Sequence, residues 1–112
     1  MKAKTYRQCE GGSEPCEASE ATLLAINIPG PSGLLLIPVR QVEGGPTPWQ
    51  WDGNVEAPTL HPSLRTRGSD CRGDWVCHSW VRKGKVQFLA DCTHPLAGRT
   101  VDLLDLTELL PG

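Results

Sequence analysis

Two short clusters in the C-terminal half combine the side chains that metal ions and acyl groups require: Cys77-His78-Ser79 and Asp91-Cys92-Thr93-His94. Thiolate and imidazole are the ligands zinc accepts in a tetrahedron. Three protein ligands leave a position for water, and four close the site. Cys77, Cys92 and His94 form the candidate ligand set, with His78, Cys71 and His61 available for a fourth place. The competing reading packs Cys77 and Cys92 into the core and leaves His94 bonding at a strand end, because free cysteine is among the most buried residue types. Cys9 and Cys16 lie in a polar N-terminal stretch and are poor ligand candidates.

The elements that must position these clusters are two strands, at 76–81 and 86–90, joined by Arg82-Lys83-Gly84-Lys85. Gly84 supplies the positive φ that a tight hairpin turn needs. A two-residue turn at Lys83-Gly84 pairs Arg82 with Lys85, so that Cys92 becomes the diagonal neighbour of Cys77 on one face. A turn at Gly84-Lys85 sets the two cysteines directly opposite, and only a three-residue loop separates them. On a regular strand Cys77 and Ser79 share a face and His78 takes the other.

The rest of the chain reads as mostly β, a single small domain of antiparallel strands and hairpins with little helix. Its 112 residues allow one core, and 12 Gly with 10 Pro cut it into short pieces. Residues 1–20 are polar and read as an irregular lead-in to a β-rich domain over 21–112. Apolar runs at 23–28 and 34–39 flank Pro29-Gly30-Pro31-Ser32-Gly33, a turn signal. Trp49-Gln50-Trp51 alternates like a strand, 66–74 reads as a polar loop, and 101–110 as a final strand, a helical turn, or both.

The charge balance is 11 basic against 13 acidic residues, without long runs. That argues against a nucleic-acid arm or a membrane anchor of clustered Lys and Arg. No apolar stretch approaches the ~20 residues of a bilayer span. With no apolar segment behind the N-terminal charges, no signal peptide is expected, and five cysteines then belong to a reducing cytosol rather than to disulfides.

Two longer stretches carry a family resemblance. Trp51-Asp52-Gly53-Asn54-Val55-Glu56-Ala57-Pro58-Thr59-Leu60-His61-Pro62-Ser63 is similar to a recurring W-x-G-x-x-E-x-P-T-x-S-P-S pattern. Residues 77–98, from Cys77-His78-Ser79-Trp80 through Gln87-Phe88-Leu89 to Asp91-Cys92-Thr93-His94 and Leu96-Ala97-Gly98, resemble C-H-S-F-V-R-D-G-x-I-Q-F-L-x-D-C-T-H-x-L-A-G. Both patterns belong to the BubE-like family of phages, prophages and bacterial ubiquitin-like conjugation operons. The resemblance spans roughly residues 49–103. His61 stands where Ser is usual, Trp80 where Phe is, and Lys83 where Asp is. Membership implies a peptidase that processes or removes ubiquitin-like proteins, and a place in bacterial ubiquitination-like pathways and phage defence.

Two mechanisms fit the residues within that expectation. In one, zinc on Cys77, Cys92 and His94 carries a water that Glu56 activates, with Ser63 or Ser79 steadying the oxyanion. In the other the metal is structural, Ser63 or Ser79 attacks, His78 is the base, and Glu56 or Asp91 orients it. The face alternation makes a Ser79–His78 pair awkward and Ser63 the better serine. The third reading is a zinc-stapled β module that binds a partner protein and cleaves nothing. It needs the Cys/His cluster but no role for Glu56.

Overall fold

The computed structural model describes residues 1–106 and is built almost wholly from antiparallel strands. β1 (Ala3–Cys9), β2 (Gly12–Pro15), β3 (Leu23–Ile28) and β4 (Gly33–Pro38) form one sheet in the order β2-β1-β3-β4. β5 (Gln50–Trp51) and β6 (Leu60–His61) make a two-residue ladder. β7 (Leu64–Asp70), β8 (Gly73–Arg82), β9 (Lys85–Phe88) and β10 (Thr100–Asp102) form the second sheet, in the order β10-β9-β8-β7. A 3-10 turn over Ala18–Glu20 is the one helical element among the described residues, and no helix there is long and apolar enough to cross a membrane.

The sequence pattern explains which strand sits where. β3 is an apolar run interrupted by Asn27, and every residue from Leu24 to Ile28 is buried, as expected of a strand covered on both faces. β8 and β9 alternate instead. Cys77, Ser79, Val81, Val86 and Phe88 are buried, while Arg82, Lys85 and Gln87 are exposed. Their inward side chains meet Leu24, Ile26 and Leu60 in one core.

The β8–β9 turn has the two-residue form, with Arg82 opposite Lys85 and Val81 opposite Val86. Lys83 (φ 50°) and Gly84 (φ 75°) both lie in the left-handed region, which this turn type demands of its two central residues. Lysine is poorly suited to that conformation, unlike Asp or Asn. The turn is held from outside: Thr59 Oγ1 accepts from the Lys83 amide at 2.9 Å, and the Pro58 carbonyl from that of Gly84 at 3.0 Å. A Cβ on Gly84 would sit 3.0 Å from Ala57 Cα.

Two segments depart from the sequence reading. Residues 3–15, expected to be irregular, form the β1–β2 hairpin, and β1 continues onto β3 with Ala3 opposite Ile26. Its side chains show no apolar alternation because only Ala3 is buried, so main-chain pairing carries the strand. The expected polar loop at 66–74 is instead most of β7 and the start of β8, with Leu64 opposite Ser79 and Asp70 opposite Gly73. Arg65, Arg67 and Ser69 are exposed on an edge strand, and Gly68 lies under the Trp75 indole, where a Cβ would meet the ring at 2.6 Å. A polar edge strand and a loop look alike in sequence. Of the C-terminal segment 101–110, residues 107–110 lie outside the described residues.

Candidate active site and metal centre

β8 separates two sets of functional groups by its pleat. Cys77 points into the protein and His78 points out, as alternation requires. The segment after β9 repeats the split, with Asp91 exposed and Cys92 buried. Two adjacent pairs, Cys77-His78 and Asp91-Cys92, therefore each supply one residue to an outer cluster and one to an inner cluster.

The outer cluster is Ser63, His78 and Asp91. Ser63 Oγ lies 2.9 Å from His78 Nε2. His78 Nδ1 lies 3.1 Å from Asp91 Oδ2 and 3.3 Å from Oδ1. Bonding to His78 holds the Asp91 carboxyl below the usual carboxylate range, with Arg65 adding to the effect. The carboxylate thus stays charged and accepts from Nδ1–H, which leaves the Nε2 lone pair toward the serine hydroxyl. A hydroxyl, an imidazole and a carboxylate in this order form a nucleophile, its base and the group that orients the base.

Beside them the outer face carries a stack. The His61 ring is 5.3 Å from that of Trp80, and the Arg82 guanidinium lies 4.6 Å from the Trp80 ring centre. The Trp49 indole N–H reaches the Ser63 carbonyl at 3.4 Å.

The inner cluster is Cys77, Cys92 and His94, whose ligand atoms all lie within 4.8 Å of one another. They are positioned to hold a metal ion. His94 Nε2 is 3.2 Å from Cys77 Sγ, and the His94 ring meets Phe88 edge-on at 4.8 Å between centres. Burial lowers the His94 pKa and so favours the neutral imidazole that metals bind. Burial pushes the Cys77 thiol up, against hydrogen bonding from the Ser32 and Thr66 hydroxyls, so metal binding must displace its proton. Those two hydroxyls lie 2.7 Å apart and belong to the β3–β4 turn and to β7. Nothing in the local sequence around Cys77 announces them.

Other expected residues fall elsewhere. Ser79 is 1% exposed, and its hydroxyl has no hydrogen-bond partner among the described residues. Glu56 is 70% exposed and pairs with the Met1 amino group at 3.6 Å. Its loop is held by Asp52 Oδ1, which accepts from the Asn54 and Thr59 amides, and by Asn54 Oδ1, which accepts from those of Glu56 and Ala57. Of the fourth-ligand candidates, His78 is in the outer cluster, His61 stacks on Trp80, and Cys71 is exposed in the β7–β8 turn. Among the described residues the inner group has three ligands.

A family model described as "Bacterial ubiquitination-like system serine protease (BubE)" matches residues 17–89, well over half of the chain. The chain belongs to the BubE family. The match takes in Ser63 and His78 and ends two residues short of Asp91, which the structure places beside the imidazole. No curated protein and no solved structure matches the chain. The family description names a serine protease, and the BubE chain's outer cluster holds a serine hydroxyl against an imidazole.

Proposed function

We propose that this BubE chain is a serine peptidase that processes or deconjugates a bacterial ubiquitin-like protein. The observation that carries the reading is the unbroken chain of contacts Ser63 Oγ–His78 Nε2 and His78 Nδ1–Asp91 Oδ2, at 2.9 and 3.1 Å. In this reading Ser63 Oγ bonds to the scissile carbonyl carbon as its proton passes to His78 Nε2. The same proton then goes to the leaving amine as the carbon–nitrogen bond breaks, and water returns the acyl group to solution through the same base. Asp91 keeps the ring in the productive tautomer and stabilises the imidazolium.

The ion on Cys77, Cys92 and His94 is zinc in this proposal, since two thiolates and an imidazole are soft and borderline donors that suit it. When bound, it supplies a cross-link between β8 and the segment after β9. The serine route is favoured over a zinc-bound water because Glu56 pairs with Met1 and the buried Ser79 hydroxyl has no partner among the described residues. A binding module without activity would have no use for a carboxylate oriented on an imidazole that faces a serine.

The partner is the ubiquitin-like protein of the same system, or its conjugates, and the chain works without nucleic acid or membrane, in the cytoplasm. The test is a fluorophosphonate probe followed by mass spectrometry. A stable adduct on Ser63, lost in Ser63→Ala and in His78→Ala, is the expected result. An active but unlabelled protein whose activity follows metal content would replace this reading with the metal-bound water.

A further inference from the structure

We infer that the substrate chain binds as an added β-strand on the free edge of β7. This inference rests on the peptidase reading of Ser63 and concerns how the scissile bond is delivered to it. The occupant is the extended segment that precedes the cleaved bond, the C-terminal tail of the ubiquitin-like protein, running antiparallel to β7.

The direction of each backbone group follows from contacts on the far side of β8. The His78 carbonyl accepts from the Leu89 amide at 2.9 Å, and the Val76 carbonyl from that of Thr93 at 3.0 Å. The His78 amide points the same way, to Cys92 Sγ at 3.2 Å. Even-numbered residues of β8 thus face β9, and Cys77 and Ser79 face β7. In antiparallel pairs, residues that exchange main-chain bonds alternate with residues that do not. Thr66 and Leu64 lie opposite Cys77 and Ser79, so they spend their main-chain groups on β8. Arg65, Arg67 and Ser69 aim theirs outward.

β7 pairs with β8 alone, and no main-chain bond to that outer edge occurs among the described residues. The nucleophile heads this edge. Ser63 immediately precedes β7, and its carbonyl, on the same side, is already taken by the Trp49 indole at 3.4 Å. Trp49 closes the edge at Ser63, and the open groups begin at Arg65. A strand rises about 3.4 Å per residue, so Arg65 and Arg67 lie one and two such repeats of two residues from the nucleophile. An antiparallel peptide whose cleaved residue sits against Ser63 pairs with Arg65 two residues earlier and with Arg67 four residues earlier. Strand addition of this kind takes affinity from the main chain, which suits a tail with few bulky side chains as well as one with many.

The test replaces substrate amides one at a time. A ubiquitin-like protein of a bacterial ubiquitination-like system that this chain cleaves is assembled by ligation with a single N-methyl group at each of the six positions before the cleaved bond, and cleavage is timed. Strand addition predicts that kcat/KM falls about tenfold at two and at four residues before the cleaved one, and by less at the positions between. A flat profile, or losses without a two-residue period, would overturn it and leave the arginines as guards of an exposed edge. On the enzyme side, Arg67→Pro removes an outward N–H and is expected to raise KM about tenfold with kcat little changed, while Arg67→Ala, which keeps that N–H, raises it less. Equal effects of the two variants would also count against pairing. If no such protein is cut in unmodified form and Ser63 stays unlabelled by fluorophosphonate, the peptidase reading falls and this inference with it, whereas a cut substrate with a flat profile removes this inference alone.

Discussion

The Cys92 sulfur brackets the backbone of His78: it accepts from the His78 amide at 3.2 Å and donates to the His78 carbonyl at 3.1 Å. A candidate metal ligand therefore touches the main chain of the candidate base, and the inner cluster braces the outer one through a single strand. Whatever moves Cys92 moves the peptide units that aim the imidazole.

Removing the metal is expected to cost both fold and site. At a free metal concentration a thousandfold above Kd, binding to the native state adds about 4 kcal/mol of stability, and Cys92→Ser forfeits it. Elemental analysis should find about one zinc per chain in the wild type and none in Cys92→Ser. The melting temperature and Ser63 labelling should fall together. Cys9 is exposed on β1, and Cys9→Ser should keep its metal.

Asp91→Asn should lower kcat/KM on the order of 10³-fold, because the amide cannot hold His78 in the same tautomer or stabilise its cation. Circular dichroism and metal content should be unchanged, since the Asp91 side chain is 56% exposed. Glu56→Gln, at an exposed loop position, should leave kcat/KM within about twofold, the usual reach of a surface substitution. A collapse of activity in Glu56→Gln would return the water mechanism to first place.

Ser79→Ala is expected to be neutral or stabilising by up to about 1 kcal/mol. The Ser79 hydroxyl is buried without a partner among the described residues, and deleting an unsatisfied polar group removes a desolvation cost. Denaturant midpoints of the two proteins decide the point. Retained cleavage by Ser79→Ala would also separate it from Ser63.

Asp102 gives a dependence on pH. Its carboxyl bonds to Lys85 at 2.8 Å and lies 3.7 Å from Lys2, and these hold its pKa below the ordinary 3.8. A depressed carboxylate pKa stabilises the fold above the unfolded value, and the gain disappears as pH falls through the lower folded value. Asp102→Asn should therefore melt below the wild type at neutral pH, with the gap closing in acid as pH falls below the ordinary 3.8 and through the lower folded value. A gap that persists there would assign it to lost packing.

The sequence alone determined the hairpin and a narrow choice of turns, most of which bring the inner cluster together, and the structure selected the two-residue turn with Arg82 opposite Lys85. Cys77, Cys92 and His94 are local to one β-turn, and a strand's period of two fixes which of them share a face. The same alternation put His78 outside and Ser79 inside. The candidate serine, the candidate base and the family pattern were legible because each lies in a contiguous run of residues. What only the tertiary structure decided involves partners far apart in sequence. Ser63 reaches His78 across 15 residues and Ser32 reaches Thr66 across 34, each by a strand pairing or sheet packing that no local pattern encodes. Which carboxylate lies beside the imidazole was of this kind, since Asp91 and Glu56 look alike until one is seen beside His78 and the other beside Met1. β1 and β7 were hidden for a related reason. Their order comes from main-chain pairing to β3 and β8 rather than from burial of their own side chains, and hydrogen bonds to a neighbouring strand leave no mark on composition.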